Sequence, residues 1–313
     1  MAMRLCRYQG EEGASIGLYD ERGIVPLAAT ARELGLDDCG SADLLDYLPP
    51  DGRLMHVTKT IATSGSQRRV AGSEAITRRT LVPVANPKKV ILLAGNYAEH
   101  IREQGGQAAE REQTFPYFFW KPPSTTLTNP GDPIVLPAIS PEHVDWEAEL
   151  GVIIGRQARN VPEHKALEYV AGYTVCNDVS DRNFKLQPKR QLRERDRFFD
   201  WLHGKWHDTF LPMGPCVLAA GPDVDPQQMA IRLRVNGKAM QDGSTSQMIF
   251  PVAALISILS SFMTLERGDI ISTGTPSGVG HGRKPPIYLR AGDVVEAEIE
   301  GIGVLRNSVV GER

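Results

Sequence analysis

Nine consecutive residues, Val144-Asp-Trp-Glu-Ala-Glu-Leu-Gly-Val152, alternate between carbon side chains and acids until Gly151. A helix would scatter these groups around its circumference. In a strand successive side chains point to opposite faces, so Val144, Trp146, Ala148, Leu150 and Val152 share one face and Asp145, Glu147 and Glu149 the other. The run therefore predicts a strand, and a strand needs a sheet. Glu is depleted in strands, and acids two residues apart lie roughly 7 Å from one another. Two readings fit such a face. It is the solvated side of an edge strand, which uses charge against aggregation, or it is acidic because a cation sits against it.

Composition agrees with a sheet. Gly (30) and Pro (22) fill 52 of 313 positions, about 17% against roughly 12% in average usage. Both break helix interiors, which argues against a helical bundle. Residues 201–313 hold 14 Gly and 8 Pro, placed at turn signals such as Asn236-Gly237, Gly292-Asp293 and Gly301. Asn-Gly predicts a type I′ hairpin, and 294–299 alternates as a strand should. Short apolar runs at 3–8, 14–19 and 24–27 predict a small β-rich module over residues 1–85, with a short helix at 42–48 and a loop or linker at 63–79. A second region, 86–313, opens with a buried strand at 90–94 and a short helix at 96–104. The polar stretch 105–113 predicts a lid hinged at Gly105-Gly106. Residues 251–262 are apolar on most sides and predict a buried helix. Strands outnumber helices and their order is not βαβα, which argues against a Rossmann sheet. The expected class is α+β, mostly β.

The formal net charge of −3 exerts no global pull toward nucleic acid or an anionic membrane. No apolar run reaches spanning length, and the first residues lack the apolar core of a secretory signal. Cys6, Cys39, Cys176 and Cys216 are scattered and form no CxxC. The expectation is a reduced, cytoplasmic protein without disulfides.

Two groups of residues carry chemistry. Asp178 sits within another strand-like run, 173–180, and a buried Asp needs a partner. With Glu147 and Glu149 it offers three carboxylates on two strands, a set that suits Mg²⁺ or Mn²⁺. His100 and Glu103 are three apart and face the same way on a helix, where the acid would orient the imidazole as a general base. Asn96 is the expected N-cap of that helix, with Glu99 at the third position. The glycine-rich Gly274-Thr-Pro-Ser-Gly-Val-Gly280 fits neither GxxxxGK[ST] nor GxGxxG, so it is no phosphate loop. The mixed-charge run 185–197 reads as a solvated loop or helix face.

In series, these segments resemble the fumarylacetoacetate hydrolase family over residues 86–313. The carriers are Gly95-Asn-Tyr-Ala-Glu-His100, Asp145-Trp-Glu147-Ala-Glu149-Leu-Gly, Asn177-Asp178-Val-Ser-Asp-Arg182, Lys205-Trp-His-Asp-Thr-Phe and Gly274-Thr-Pro-Ser-Gly-Val-Gly. The resemblance implies a mixed β-roll or sandwich, often dimeric, with Mg²⁺ or Mn²⁺ on Glu147, Glu149 and Asp178. It implies His100 and Glu103 as a catalytic dyad on a mobile segment, Lys205 as a third catalytic residue, and Arg182, Lys205 and Thr275 as contacts to a small anionic 2-oxo or 2,4-dioxo acid. The leading expectation is hydrolysis of a C–C bond. Decarboxylation of an oxaloacetate-type substrate and isomerisation share the same base and enolate, and a catalytically silent ligand-binding relative is the non-enzyme alternative. Two departures stand out. Lys185 occupies a position where many small members carry Gln, and the stretch 191–201 is unlike the short connection in many relatives and is expected to reshape the pocket mouth.

Overall fold

The computed structural model describes residues 3–312 except 21, 37–39, 65–78, 109–110, 186 and 188. In chain order the main strands are β1 (Arg4–Gly10), β2 (Gly13–Asp20), β3 (Gly23–Pro26), β4 (Val90–Ala94), β5 (Tyr117–Trp120), β6 (Ile134–Leu136) and β7 (Ala148–Ile154). They continue with β8 (Val170–Asn177), β9 (Leu211–Ala219), β10 (Ala230–Val235), β11 (Lys238–Ser244), β12 (Ile270–Ser272), β13 (Val294–Ile299) and β14 (Gly303–Gly311). The helices used below are α1 (Leu27–Glu33), α2 (Met55–Thr63), α3 (Ala98–Glu103), α4 (Asp196–His203) and α5 (Val252–Phe262).

Alternation decides which strands are half-buried. In β10 and β13 every second residue points inward, so Ile231, Leu233 and Val235 join Val295, Ala297 and Ile299 in the core. The outward residues pair across the strands, with Arg232 opposite Glu298 and Arg234 opposite Glu296. These strands belong to a five-stranded sheet ordered β11-β10-β13-β14-β6. By contrast β7, β8 and β9 are near-continuous apolar runs, and they are buried on both faces. Leu150, Val152 and Val175 share a core cluster with the five-stranded sheet. On the other face Ile153, Ala171 and Val217 pack with Leu5, Leu44 and Val57 from the N-terminal segment. The class is therefore α+β and strand-rich, as expected.

The larger sheet runs β3-β2-β1-β9-β8-β7-β12-β4-β5. The N-terminal strands are continuous with it, because β1 pairs antiparallel with β9. Register then places the chemistry. Ala148 lies opposite Asn177, so the start of β7 and the end of β8 meet. Gly151 lies opposite Ser272, which brings the end of β12 to the same place. β12 and β4 are parallel, Ser272 beside Leu92, so the end of β4 emerges there too. Four chain segments thus open onto one edge of the sheet.

Several expectations change in detail. The run 144–152 is broken: Val144–Asp145 pairs with Ser180–Asp181, and β7 begins only at Ala148. Between them side chains take up two of the backbone donors, Trp146 N donating to Asp145 Oδ1 and Glu147 N to Asn177 Oδ1, while Asp178 N still donates to Glu147 O. Asp178 follows β8 and does not lie within it. The helix expected at 42–48 is a single 3₁₀ turn, Leu44–Tyr47, with Asp43 as its cap. Of the stretch 63–79, residues 65–78 lie outside the described residues; so do 109–110 of the expected lid, where Gly105 closes α3 with φ of +82°. Asn236 and Gly237 do form the tight turn of the β10–β11 hairpin, both with positive φ. Cys6, Cys176 and Cys216 are free thiols, and Cys39 is outside the described residues. Among the described residues no helix is long and apolar enough to cross a membrane.

Candidate active site

The acidic face of 145–149 is no solvated edge. Asp145, Glu147, Glu149 and Asp178 are all buried. One carboxylate oxygen from each of Glu147, Glu149 and Asp178 lies within 4.8 Å of the other two. Glu149 Oε2 accepts from Ser272 Oγ (2.6 Å) and Gly274 N (3.1 Å), while Oε1 is buried without a hydrogen-bond partner. Burial, reinforced by the charges of Asp178 and Glu147, pushes the Glu149 carboxyl well above its ordinary range. A buried oxygen with no donor, in an all-oxygen set, is what a hard divalent cation requires. The three residues therefore fit the cation that their pattern implied.

Cations of the chain itself surround this cluster. Lys205 Nζ donates to Glu147 Oε2 (3.0 Å), Asp178 Oδ2 (2.6 Å) and Ser180 Oγ (2.9 Å). Burial works against its charge, yet Asp178 and Glu147 raise it above its ordinary value. Arg182 binds Glu147 Oε1 through Nη2 (2.6 Å) and Asp145 Oδ2 through Nε (2.9 Å). For Glu147, burial is outweighed by Lys205, Arg182 and His100, which hold it below the usual carboxylate range. Lys121 is fully buried, 2.6 Å from Asp178 Oδ1 but off hydrogen-bond alignment, and Nζ donates to Val179 O and Phe210 O. Burial, with Lys205 nearby, lowers it to about 8 despite Asp178.

The dyad forms as its spacing predicted. His100 is buried on α3, and its Nδ1 lies 2.8 Å from Glu103 Oε1. A carboxylate on Nδ1 favours the tautomer whose proton sits there, leaving Nε2 as the basic atom. The Gln104 amide lies 3.1 Å from Nε2. The expected capping box is absent. The N-cap is Tyr97 without a side-chain bond, and Glu99 pairs instead with Arg102. Asn96 has better partners elsewhere, Phe250 N and O and Thr273 O, which tie the start of α3 to the end of β12.

His100, Glu147, Glu149, Arg182, Lys205 and Thr275 line one cavity of about 270 Å³, walled by Leu93, Ile101 and Trp201. Thr275 Oγ1 donates to Ala148 O and accepts from Gln241 Nε2 (2.7 Å). Glu103 touches the cavity through His100, and Asp178 lies beneath Lys205. Trp201 comes from α4, in the stretch set apart as unlike many relatives, and packs edge-on against Phe119. Sequence reasoning missed Lys121 and Gln241. Neither stands in a pattern; each matters through contacts with segments far away in the chain.

A family model described as "Fumarylacetoacetate (FAA) hydrolase C-terminal" matches residues 89–310. The chain is 36% identical to the mitochondrial oxaloacetate tautomerase fahd2 of Xenopus laevis, over 99% of this chain and 91% of that protein. It resembles the solved 2-hydroxyhepta-2,4-diene-1,7-dioate isomerase of Mycobacterium marinum at 30% identity, covering 99% of both chains with a TM-score of 0.66. It also resembles the maleylpyruvate hydrolase of Sphingobium sp. SYK-6, at 28% identity over 99% of this chain and all of that one, with a TM-score of 0.74. A buried acidic triad, a His–Glu dyad and a match over most of the chain lead to one conclusion: this chain belongs to the fumarylacetoacetate hydrolase family.

Proposed function

We propose that the protein is a divalent-metal-dependent enzyme that moves a proton at the carbon next to the 2-oxo group of a small 2-oxo acid, in the manner of a keto–enol tautomerase. The observation that carries this reading is the position of His100, oriented by Glu103, in the same cavity as Glu147, Glu149 and Lys205. Mg²⁺ or Mn²⁺ held by Glu147, Glu149 and Asp178 would supply Lewis acidity that favours negative charge on the 2-oxo oxygen. His100 Nε2 takes the proton from carbon 3, and Glu103 stabilises the imidazolium that results. The Lys205 ammonium offsets the charge that develops on the substrate. His100 then returns the proton to oxygen, which completes the tautomerisation. One relative that matches nearly the whole chain is named for this type of reaction.

Hydrolysis of a C–C bond, the leading expectation from the sequence, is the second reading. It is favoured by the likeness to a maleylpyruvate hydrolase. The two differ in one act, the use of His100 on water in place of carbon. A single assay separates them. Oxaloacetate and a series of acylpyruvates are incubated with Mg²⁺ or Mn²⁺, the enol is followed by ultraviolet absorbance, and pyruvate release by a coupled dehydrogenase. Metal-dependent enol–keto exchange without pyruvate supports the tautomerase, and pyruvate plus a carboxylic acid supports the hydrolase. EDTA should abolish either activity, and His100→Gln should lower kcat by roughly 10²–10⁴. Full activity in His100→Gln, or after metal removal, would overturn the proposal.

A further inference from the structure

Asp145 belongs to the same acidic run as Glu147 and Glu149, yet it has no place among the candidate cation ligands. It is fully buried, and four donors fill its two oxygens. Oδ1 accepts from Trp146 N (2.9 Å) and Gly280 N (2.7 Å); Oδ2 accepts from His281 N (3.0 Å) and Arg182 Nε (2.9 Å). A carboxylate so occupied is a structural anchor. What it anchors is the loop after Thr275.

That loop reaches the dyad. Gly278 N donates to Glu103 Oε2 (2.8 Å), while the other Glu103 oxygen lies on His100 Nδ1. The carbonyl of Gly278 accepts from Trp146 Nε1 (3.3 Å) and Arg283 Nη2 (3.2 Å), so this residue is held through both of its backbone polar groups. Its φ of +102° is one that favours glycine. Gly282 completes the seat. A Cβ built there would lie 2.9 Å from Glu103 Cγ and Cδ and 3.0 Å from Oε2. These are its nearest neighbours, and the Glu103 side chain is the flexible party, so any added atom would push the carboxylate off its place.

We propose that Asp145, Gly278 and Gly282 are positioning residues, which act through Glu103 to fix the tautomer and aim of His100. The inference rests on the reading of His100 as the base, but its test does not need turnover. In the full-length protein loaded with Mg²⁺, ¹⁵N NMR at mildly alkaline pH reports the His100 tautomer, its signals identified by their loss in His100→Gln. Wild type should show the proton on Nδ1. Gly282→Ala should show a mixture of tautomers, as should Glu103→Ala. Where a substrate is turned over, Gly282→Ala should lower kcat by roughly 10- to 100-fold, below the cost of losing a base outright, with KM and Mg²⁺ affinity unchanged. Added to Glu103→Ala, it should cost nothing more, as expected of residues acting through one group. Wild-type His100 signals in Gly282→Ala, or the same cost with Glu103 absent, would overturn the role of the loop. An Asp145→Asn chain that binds Mg²⁺ yet keeps the wild-type signals would overturn the role of Asp145. A wild type inactive on every 2-oxo acid would sink the proposed function and leave the NMR comparison to decide this one.

Discussion

Asp178 is gripped by two lysines. Lys205 holds Oδ2 from the cavity and Lys121 lies against Oδ1 from beneath. Leaving a buried charge wholly uncompensated costs about 3–5 kcal/mol, and removing Lys121 while Lys205 stays takes part of that. Lys121→Met should therefore lower the stability of the metal-free protein in urea unfolding by less than about 3–5 kcal/mol, and saturating Mg²⁺ should restore part of it by binding only the folded state. Glu149→Gln should do the reverse. It relieves buried charge but weakens Mg²⁺ affinity by more than roughly tenfold in calorimetric titration, since even groups that merely support a ligand contribute that much. Glu147 and Glu149 were legible because charge repeated at a strand's period within nine residues. Lys121 was not, because Trp120-Lys121-Pro122 reads like any exposed lysine before a turn. Its burial is decided by carbonyls 58 and 89 residues further on.

At the scale of elements, helix α3 shows how tertiary partners override local rules. Asn96 is a good N-cap by type and place, yet its amide makes three bonds to Phe250 and Thr273. Those bonds tie the helix to the end of β12, where a cap would only have satisfied the helix itself. Asn96→Ala should cost about 1–3 kcal/mol for the groups left unpaired, measured by urea unfolding, and should lower kcat because the dyad rides on the same helix. The His100–Glu103 pair was legible from its spacing, which needs only that a helix form. Helix α4 was harder. Its first residues end the mixed-charge run that reads as a solvated loop or helix face, and Arg190 and Arg193 do pair with Asp196 and Asp200. The informative residue is Trp201, whose place in the cavity depends on packing against Phe119 from β5.

At the scale of the molecule, β1 joins the central sheet and its neighbours cover Ile153, Ala171 and Val217. A chain of residues 86–313 alone would expose that apolar face of β7, β8 and β9. It should aggregate or lose cooperative unfolding, as seen by calorimetry and gel filtration. The sequence showed strands on both sides of residue 85; it could not show that one sheet crosses it, because strand partners far apart in the chain leave no local trace. The parallel pairing of β4 and β12 has a wider consequence. The segment bearing His100 and Glu103, the proposed base and its partner, and the loop proposed to steady them both leave that pair on one side, whereas the candidate cation ligands come from or flank the neighbouring antiparallel strands. Change in the segment after β4 can therefore retune what happens to the substrate's proton with little effect on the acidic floor, whereas the loop after β12 touches both, through Gly274 N on Glu149 and Gly280 N on Asp145. Such a division gives evolution separate handles on one pocket.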